Sequence, residues 1–368
     1  MKTNLIPSDK CDKILSDIYQ LLSELSNFGS PSGNETEFGE YLISEFSKYA
    51  FKSEIDTRGN VYFYKNASNP ECAQTLMIMA HMDAIGVIVT HIEDNGYLRI
   101  DKIGGIDSTI LAGRKIRFYA NGKTLYGIVG AIPPHVKIND KTLYEITDLW
   151  VDIGANNKED AMNTISVGDY GTIQSEPTNM LHNLVSTGKL DNKVGLCIML
   201  LLLKYFGKIN IKNINVIFVA SVQEEIGKRG ASAICHSASP DTIIVLDVTH
   251  SSDYYGVNKA IYGDVKAGEG PVFPISPDTT SEIQSTFKEI AYANNLKYQI
   301  QAFSRPVGTD TDPLQKHNAN SKIGLLCIPC RYMHSPYEVC SVTDIETAIK
   351  ILKNYIIKQD TVTPFKPD

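Results

Sequence analysis

The stretch Thr75-Leu-Met-Ile-Met-Ala-His-Met-Asp83 decides the fold class, because an apolar run of strand length leads directly into a histidine and an aspartate. Such an unbroken run is typical of a strand that is covered on both faces, as in a parallel sheet. Three further runs have the same character: Ile214–Ala220, Thr242–Leu246 and Ile323–Ile328. Helical patterns separate several of these runs, among them Val194–Leu203, which predicts a buried helix. The sequence therefore predicts an α/β fold with a sheet flanked by helices.

The middle of the chain differs from both flanks. Between about residue 89 and residue 175 the chain consists of short alternating segments broken by glycine and proline, such as Lys115–Tyr119, Thr124–Val129 and Gly168–Gln174. This pattern is typical of a small β-barrel or sandwich. Because α/β-type runs lie on both sides of it, we predict a β-rich unit (89–175) inserted into one α/β domain built from residues 1–88 and 176–368.

The composition excludes several classes of protein. The chain has 368 residues, of which 43% are hydrophobic and 21% charged, and its formal net charge is -7. This balance provides no broad cationic face, so we expect no nucleic-acid partner. The longest apolar run is roughly half of the ~20 residues that a membrane span needs, so we expect no membrane partner. The N-terminal sequence has no signal-peptide core, so the predicted location is cytoplasmic. The seven scattered cysteines are predicted to be reduced thiols, and the lone Cys327-x-x-Cys330 pair is not predicted to bind metal.

Polar side chains follow each of the four apolar runs. They are His81 and Asp83 after the first, Glu224 and Glu225 after the second, Asp247 after the third, and His334 shortly after the fourth, while Asp191 precedes the buried helix. Ligands of open α/β sheets bind at the carboxyl ends of the strands, so we expect these side chains to converge. Two imidazoles and three carboxylates predict a site for two divalent ions that share one bridging carboxylate.

Two local spacings suggest further roles. Glu224 and Glu225 are adjacent, and neighbouring carboxylates repel one another unless a cation or a proton separates their roles. One of the two is therefore predicted to bind metal while the other carries a proton. Asp83 stands two residues after His81, close enough to orient its imidazole. Taken singly, each histidine is more often an ordinary polar residue and each acid a helix cap, so the prediction depends on the whole set.

The sequence resembles the tetrahedral, glutamyl-type aminopeptidases, which are related to deblocking aminopeptidases and to proteins labelled endoglucanases. The resemblance rests on motifs in order along nearly the whole chain: Pro31-Ser-Gly33, Ala80-His-Met-Asp83, Gly104-Gly105, Gly127-Ile-Val-Gly130, Pro133-Pro-His135, Leu190-Asp-Asn192, Gln223-Glu-Glu225, Asp247-Val-Thr249, Gly308-Thr-Asp310 and Arg331-Tyr-Met-His-Ser-Pro336 followed by Glu338. It implies a zinc-exopeptidase-like fold and hydrolysis of the N-terminal residue from peptides.

The resemblance also assigns roles to residues. It makes Asp191 the bridging carboxylate, His81 and Asp247 the other ligands of one ion, and Glu225 and His334 those of the second ion. The resemblance further implies that Glu224 is the general base that activates the water between the ions and that Asp83 orients His81. The inserted barrel is expected to be a dimerisation domain, with dimers assembling into a tetrahedral dodecamer. Zn²⁺ is the first expectation for both ions, with Co²⁺ and Mn²⁺ as alternatives.

Substrate recognition is less determined by these motifs. Three residues are candidates for substrate binding: Asp310, Arg331, and His135, which is placed to reach a neighbouring subunit's site. The acidic residues Asp310 and Asp312 favour a basic N-terminal residue. Ala84 and Lys193 stand where the family commonly has Glu and Arg. The preferred residue therefore stays open.

Three other functions remain as alternatives. A deblocking or deacylase-type amide hydrolase would use the same ions, and a carboxypeptidase would in addition need an arginine such as Arg331 or Arg305 to bind a carboxylate. A glycosidase would need no histidines. A non-catalytic assembly protein would have lost a ligand or the base, and none is lost in this sequence.

Overall fold

The computed structural model describes residues 10–69, 73–120, 122–136, 144–318 and 320–361. The α-helices in these residues are α1 (Lys10–Ser26), α2 (Thr36–Phe46), α3 (Lys158–Met162), α4 (Leu190–Phe206), α5 (Arg229–Ser237), α6 (Lys259–Tyr262), α7 (Ser281–Ala293), α8 (Thr311–His317) and α9 (Val342–Thr361). The strands are β1 (Lys52–Ile55), β2 (Val61–Lys65), β3 (Gln74–His81), β4 (Gly86–Ile92), β5 (Leu98–Ile103), β6 (Lys115–Ala120), β7 (Lys123–Gly130), β8 (Trp150–Asp152), β9 (Tyr170–Ile173), β10 (Thr178–Asn179), β11 (Leu184–Thr187), β12 (Ile214–Ser221), β13 (Thr242–His250), β14 (Val272–Ile275), β15 (Gln299–Ala302), β16 (Lys322–Cys330) and β17 (Glu338–Ser341).

The large sheet is mixed, with the strand order β1-β2-β12-β3-β13-β16-β14-β15. Its four central strands, β12, β3, β13 and β16, are parallel, whereas β2 and β14 run antiparallel to their central neighbours. The four central strands contain the four apolar runs of the sequence. The predicted fold class, an α/β sheet flanked by helices, is confirmed.

The apolar residues of the central strands explain why this sheet forms the core. Every residue of β16 after Lys322 is buried, and β13 is buried from Ile243 to Thr249. Helix α4 packs on one face between α1 and α9, and most of its residues are buried, as the unbroken apolar sequence predicts. The sheet is therefore covered on both faces, and its polar chemistry is confined to the strand ends.

The register of the sheet aligns the ends of the central strands. Ser221 pairs with His81 across β12 and β3, and Val245 pairs with Met79 across β13 and β3. Two residues beyond that last pair, Asp247 and His81 reach the same level of the sheet. The strand β13 continues to His250, whereas the sequence predicted its end at Leu246.

The middle of the chain forms a closed barrel with the strand order β4-β5-β8-β7-β6-β9. Its own apolar core contains Val87, Phe118 and Val151, which are fully buried. The barrel strands begin at Gly86, slightly before the predicted start at residue 89, and end at Ile173. The expectation of a small β-barrel between two parts of an α/β domain agrees with this architecture. The exact domain limits stay a prediction.

A small third sheet, β10-β11-β17, brings the segment after the barrel next to the C-terminal part of the chain. Thr187 pairs with Glu338 in this sheet, three residues before the buried helix α4 begins. None of the described helices combines the length and the apolar character needed to cross a membrane. The cytoplasmic location stays a prediction.

Candidate metal centre

The predicted ligands converge at the carboxyl ends of the central strands. His81 is the last residue of β3, and Asp247 lies near the end of β13. Glu225 is in the loop after β12, His334 is in the loop between β16 and β17, and Asp191 is the second residue of α4. Each ligand therefore comes from a separate element, which the parallel sheet brings to one edge.

Two groups of side chains in the described residues have their ligand atoms within 4.8 Å of one another, and both contain Asp191. The first, called here the inner group, consists of His81, Asp191 and Asp247. Its His81 Nε2 lies 3.1 Å from Asp191 Oδ1 and 3.8 Å from Asp247 Oδ1. All three residues are buried.

The second, called here the outer group, consists of Asp191, Glu225 and His334. His334 Nε2 lies 3.3 Å from Asp191 Oδ2 and 3.4 Å from Glu225 Oε2. The two oxygens of Asp191 thus face different groups, which is the arrangement expected of a carboxylate that bridges two ions. Imidazole nitrogens and carboxylate oxygens are the donors that Zn²⁺ and similar ions take in proteins. The residues present therefore fit a metal centre.

The electrostatics of the cluster point the same way. Burial, together with the nearby carboxylates of Asp310 and Asp247, raises the pKa of Glu224 to about 9. Burial likewise raises the pKa of Glu225 to about 8, with Asp191 adding to the effect. Burial also acts to raise the pKa of Asp191, but its hydrogen bonds with the two histidines outweigh burial and hold that pKa below the usual range. Carboxylates crowded in this way repel one another, and a bound divalent ion would supply the positive charge that offsets the repulsion.

Asp83 lies next to His81, as predicted, and also holds the loop that carries the two glutamates. Its Oδ1 is 3.5 Å from His81 Nδ1 and accepts a hydrogen bond of 3.0 Å from the backbone N–H of Glu224. Its Oδ2 accepts from the backbone N–H of Glu225 at 3.2 Å and from the Ser32 hydroxyl at 2.6 Å. One buried carboxylate therefore positions an inner ligand, an outer ligand and the candidate base.

Glu338 is a functional residue whose role the sequence did not show. Its side chain is buried; Oε2 accepts from the backbone N–H of Asp191 and Oε1 from the backbone N–H of His334, both at 2.9 Å. Glu338 thus holds the backbones of two outer ligands that are far apart in sequence. The only sequence sign was an acidic residue four positions after His334.

The barrel contributes one contact to the centre. His334 Nδ1 lies 3.0 Å from the backbone oxygen of Gly105, which follows strand β5 of the barrel. Because a carbonyl oxygen can only accept, Nδ1 donates in this bond and Nε2 is left to face Asp191 and Glu225. The orientation of one outer ligand therefore depends on the barrel.

The other predicted site residues are members of neither ligand group. Asp310 is buried and accepts a 2.7 Å hydrogen bond from the Ser221 hydroxyl. Arg331 is paired with Asp253, with 2.9 Å between Nε and Oδ1. His135 is exposed in the barrel segment Pro134–Val136, and no other described site residue is its partner. These three residues stay predictions as substrate-binding groups.

Lys193, which stands where the family commonly has an arginine, is fully buried behind the centre. Its ammonium donates to the Ser30 hydroxyl at 2.7 Å and to the backbone oxygen of Met82 at 2.6 Å, and it lies 3.9 Å from the centre of the Phe38 ring. Burial lowers the pKa of Lys193 well below its usual value. Lys193 thus fixes the segment between His81 and Asp83, although it does not ligate.

A cavity of about 390 Å³ opens onto both ligand groups. It is within the size range of small-ligand pockets. Its described lining is as follows: His81, Gly105, Asp191, Glu224, Glu225, Gly227, Lys228, Asp247, Val248, Thr249, His250, Phe303, Val307, Gly308, Thr309, Met333 and His334. Asp310 and Arg331 are not among these residues.

A family model for M42 glutamyl aminopeptidases matches residues 59–351, which contain all five ligands, Glu224 and the barrel. The chain belongs to the M42 glutamyl aminopeptidase family. It is accordingly a hydrolase that acts on peptides, and the resemblance inferred from the motifs is confirmed. M42 peptidases are metal-dependent, and among the residues that the structure describes the inner and outer groups could bind metal.

Individual relatives agree with this assignment. The chain is 30% identical to a lysyl aminopeptidase of Pyrococcus furiosus over 91% of this chain and 95% of that protein. An aminopeptidase structure from Desulfurococcus kamchatkensis superposes with a TM-score of 0.87, at 30% identity, over 95% of this chain and 96% of that one. The TET1 peptidase of Pyrococcus horikoshii can assemble into a tetrahedron or a large octahedral shell. Its structure superposes with a TM-score of 0.83, at 28% identity, over 92% of this chain and 99% of that one.

Proposed function

We propose that this M42 peptidase is a dinuclear aminopeptidase that hydrolyses the first peptide bond of peptides with a free N-terminus, with Glu224 as general base. The observation that supports this most is that the inner and outer groups share Asp191 while Glu224 lines the same cavity. Each group has three donors from protein, which leaves room for substrate and water at each ion.

Two divalent ions in these positions would supply the Lewis acidity that activates water and polarises the scissile carbonyl. Zn²⁺ suits the nitrogen and oxygen donors and is the first candidate, while Co²⁺ and Mn²⁺ accept the same donors. We propose two ions because the two oxygens of Asp191 face different groups.

Glu224 is the residue placed to move the proton. Glu224 lines the cavity together with residues of both groups. Its backbone N–H donates a 3.0 Å hydrogen bond to Asp83 Oδ1. In the proposed reaction Glu224 takes a proton from the attacking water and gives it to the nitrogen of the leaving amine. The oxygen of the water forms a bond to the carbonyl carbon, the bond between that carbon and the nitrogen breaks, and a carboxylic acid and an amine are formed.

The surroundings of the cavity favour an exopeptidase that recognises an amine. Carboxylates dominate its charged lining, and an α-ammonium group is attracted to them. A carboxypeptidase would need a free guanidinium, but Arg331 is engaged with Asp253 and Arg305 is exposed outside the cavity lining. The deblocking reaction on the same ions remains the second candidate, since it needs no further charged group.

We further propose that the barrel mediates homo-oligomerisation, with a dodecamer as the expected assembly. Exposed apolar side chains on and next to strand β7 support this proposal; they are Tyr126, Ile128, Ile132 and Val136. Apolar groups concentrated on one surface are typical of a contact between subunits. The TET1 relative assembles into closed shells, and sedimentation of the full chain would test whether this one does. His135, in the same segment, is the candidate to approach a neighbouring subunit's site.

The test of the reaction uses aminoacyl-p-nitroanilides and their N-acetylated counterparts, with enzyme freed of metal by chelation and then given Zn²⁺, Co²⁺ or Mn²⁺. Glu224→Gln should lower kcat by about 10²–10⁴-fold while metal content is retained, because it removes proton transfer but no ligand. Glu176→Gln, at an exposed position after the barrel, is the matched control and should behave as the unmodified protein.

Each outcome of that test distinguishes the candidates. Metal-dependent cleavage of free-amine substrates alone, lost in Glu224→Gln, would support the aminopeptidase. Cleavage of the acetylated substrates would favour the deblocking reaction. An enzyme that binds metal but cleaves neither class would show a non-catalytic protein and contradict the proposal.

A further inference from the structure

Two chemically different sets of residues line the cavity. One set consists of the predicted metal ligands and Glu224, which are polar or charged. The other set, called here the apolar wall, consists of Val248, Phe303, Val307 and Met333. We propose, on the basis of the aminopeptidase function above, that this apolar wall receives the side chain of the N-terminal residue and selects leucine- or methionine-like residues over lysine.

The elements that carry the apolar wall hold it beside the metal centre. Val248 directly follows the inner ligand Asp247 on β13, and Met333 directly precedes the outer ligand His334. Val307 and Met333 each also pack against one of the two apolar clusters that cover the sheet, so the wall is anchored in the core. A substrate whose first carbonyl lies at the ligands would therefore place its first side chain against this wall.

A basic side chain would find no counter-charge on the apolar wall. Apart from the metal ligands and Glu224, no carboxylate is among the described residues that line the cavity. Asp310 is buried and bonded to Ser221, and Asp312 pairs with Lys316 at 2.9 Å on helix α8. Asp310 and Asp312 are both absent from the described cavity lining, so the preference for basic residues expected from the sequence has no further carboxylate there through which to act.

Lys228 is a cationic residue among the described residues that line the cavity. It has no ion pair within the described part of the chain. Its backbone N–H donates to the backbone oxygen of Glu224 at 2.9 Å, so Lys228 belongs to the loop that carries the candidate base. The charge of Lys228 would disfavour a lysine or arginine side chain and favour a glutamate side chain, and the variant Lys228→Met separates this effect from that of the apolar wall.

The cavity is also roomy at this wall. A Cβ atom added at Gly308 would meet no atom within 4 Å, so the wall leaves open space where that residue lines the cavity. Val307, beside it, is only partly buried. A branched or long apolar side chain can therefore be accommodated, whereas alanine would leave much of the wall in contact with water.

The test measures kcat and KM separately for Leu-, Met-, Ala-, Lys- and Glu-p-nitroanilide. We expect Leu and Met to exceed Ala and Lys by about 10–100-fold in kcat/KM, the range that apolar pockets achieve for a few methylene groups. Val307→Asp should lower the Leu value and raise the Lys value, shifting their ratio by about 10-fold or more. Val307→Asn is the matched control, since it has the same size without the charge and should not raise the Lys value.

The other outcomes separate this inference from the function on which it depends. Preference for Lys in the unmodified enzyme would overturn the inference, and so would a Glu preference that persists in Lys228→Met. Turnover of no free-amine substrate would contradict the aminopeptidase function. In that case calorimetric binding of Leu-Ala and Lys-Ala to Glu224→Gln still tests the wall, with tighter binding of Leu-Ala expected and equal or reversed affinities refuting it.

Discussion

The inner and outer ligand groups share a carboxylate but are built on different supports. The inner ligands His81 and Asp247 are on neighbouring strands of the sheet, and the His81 side chain is only 3% exposed. The outer ligands Glu225 and His334 are on loops, and the His334 side chain is 33% exposed. Two sites that touch one another can thus differ in rigidity, because a strand fixes a side chain more strongly than a loop does.

This contrast has a consequence for binding. The inner group is preorganised by the hydrogen bonds of the sheet, so we expect it to hold its ion more tightly. The outer group is held by added contacts, from Glu338, Asp83 and the barrel, and each of these contacts can be removed separately. Substitutions can therefore weaken the outer group with less effect on the inner one.

Asp191→Asn should have the largest effect, because it removes a charge from both groups and so tests whether they share this ligand. We expect both ions to be lost and turnover to fall with them. The fall should exceed the about 10–100-fold loss that follows when only a hydrogen-bond partner of a ligand is removed. Calorimetric titration with Zn²⁺ and elemental analysis measure the stoichiometry. Asp94→Asn, at an exposed position of the barrel, is the control. Loss of only one ion would show that Asp191 does not bridge.

Glu338→Gln should have the next largest effect, and it tests whether the inner and outer groups can be weakened separately. The amide keeps the size of the side chain, but its NH₂ group faces one of two backbone N–H donors and cannot accept from it. We expect the affinity of the outer group to fall by about 10–100-fold and that of the inner group to fall less, since Glu338 holds two outer ligands and only one inner ligand.

Zinc titrations of the metal-free protein would resolve the two affinities in that variant. Glu269→Gln, which changes an exposed acid, serves as the control. The melting temperature of the metal-free protein should change little if Glu338 acts as a positioning residue. An equal fall in both affinities would contradict the contrast between the groups.

Gly105→Ala should have the smallest effect, because it disturbs only the hydrogen bond between His334 and the Gly105 carbonyl next to the barrel. A Cβ at this position would come within 2.8 Å of His334 Nδ1 and 3.2 Å of its Cε1, so the ring must move. Because the ring is partly exposed, it can shift, and we expect a loss in outer affinity of less than about 10-fold. The inner affinity of the same protein is the internal control, and its equal loss would refute a local effect.

Much of the fold and of the metal centre could be predicted from the sequence. The central strands are continuous apolar runs, and chemistry at their carboxyl ends follows from the geometry of parallel sheets. Position alone therefore predicts His81, Asp247 and the two glutamates as site residues. The barrel was found from its short alternating segments between two α/β regions.

The contacts around the ligands could not be predicted in this way. Glu338 and Asp83 act through bonds to backbone N–H groups, and such bonds leave no pattern of residue types. In the sequence, Asp310 and Asp312 look like substrate-binding acids. In the structure, Asp310 is buried and accepts a hydrogen bond from Ser221, and Asp312 forms an ion pair with Lys316. Only the three-dimensional packing decides which acidic residues meet the cavity.

The bond between the barrel and His334 has a consequence for modular engineering. The barrel has its own apolar core, so it resembles an independent module that could be deleted or replaced by another. Yet the Gly105 carbonyl sets which nitrogen of His334 carries a proton. Any truncated or chimeric enzyme would need a replacement acceptor at that point. The insert and the catalytic domain are therefore constrained to evolve together, although most of their surfaces could diverge independently.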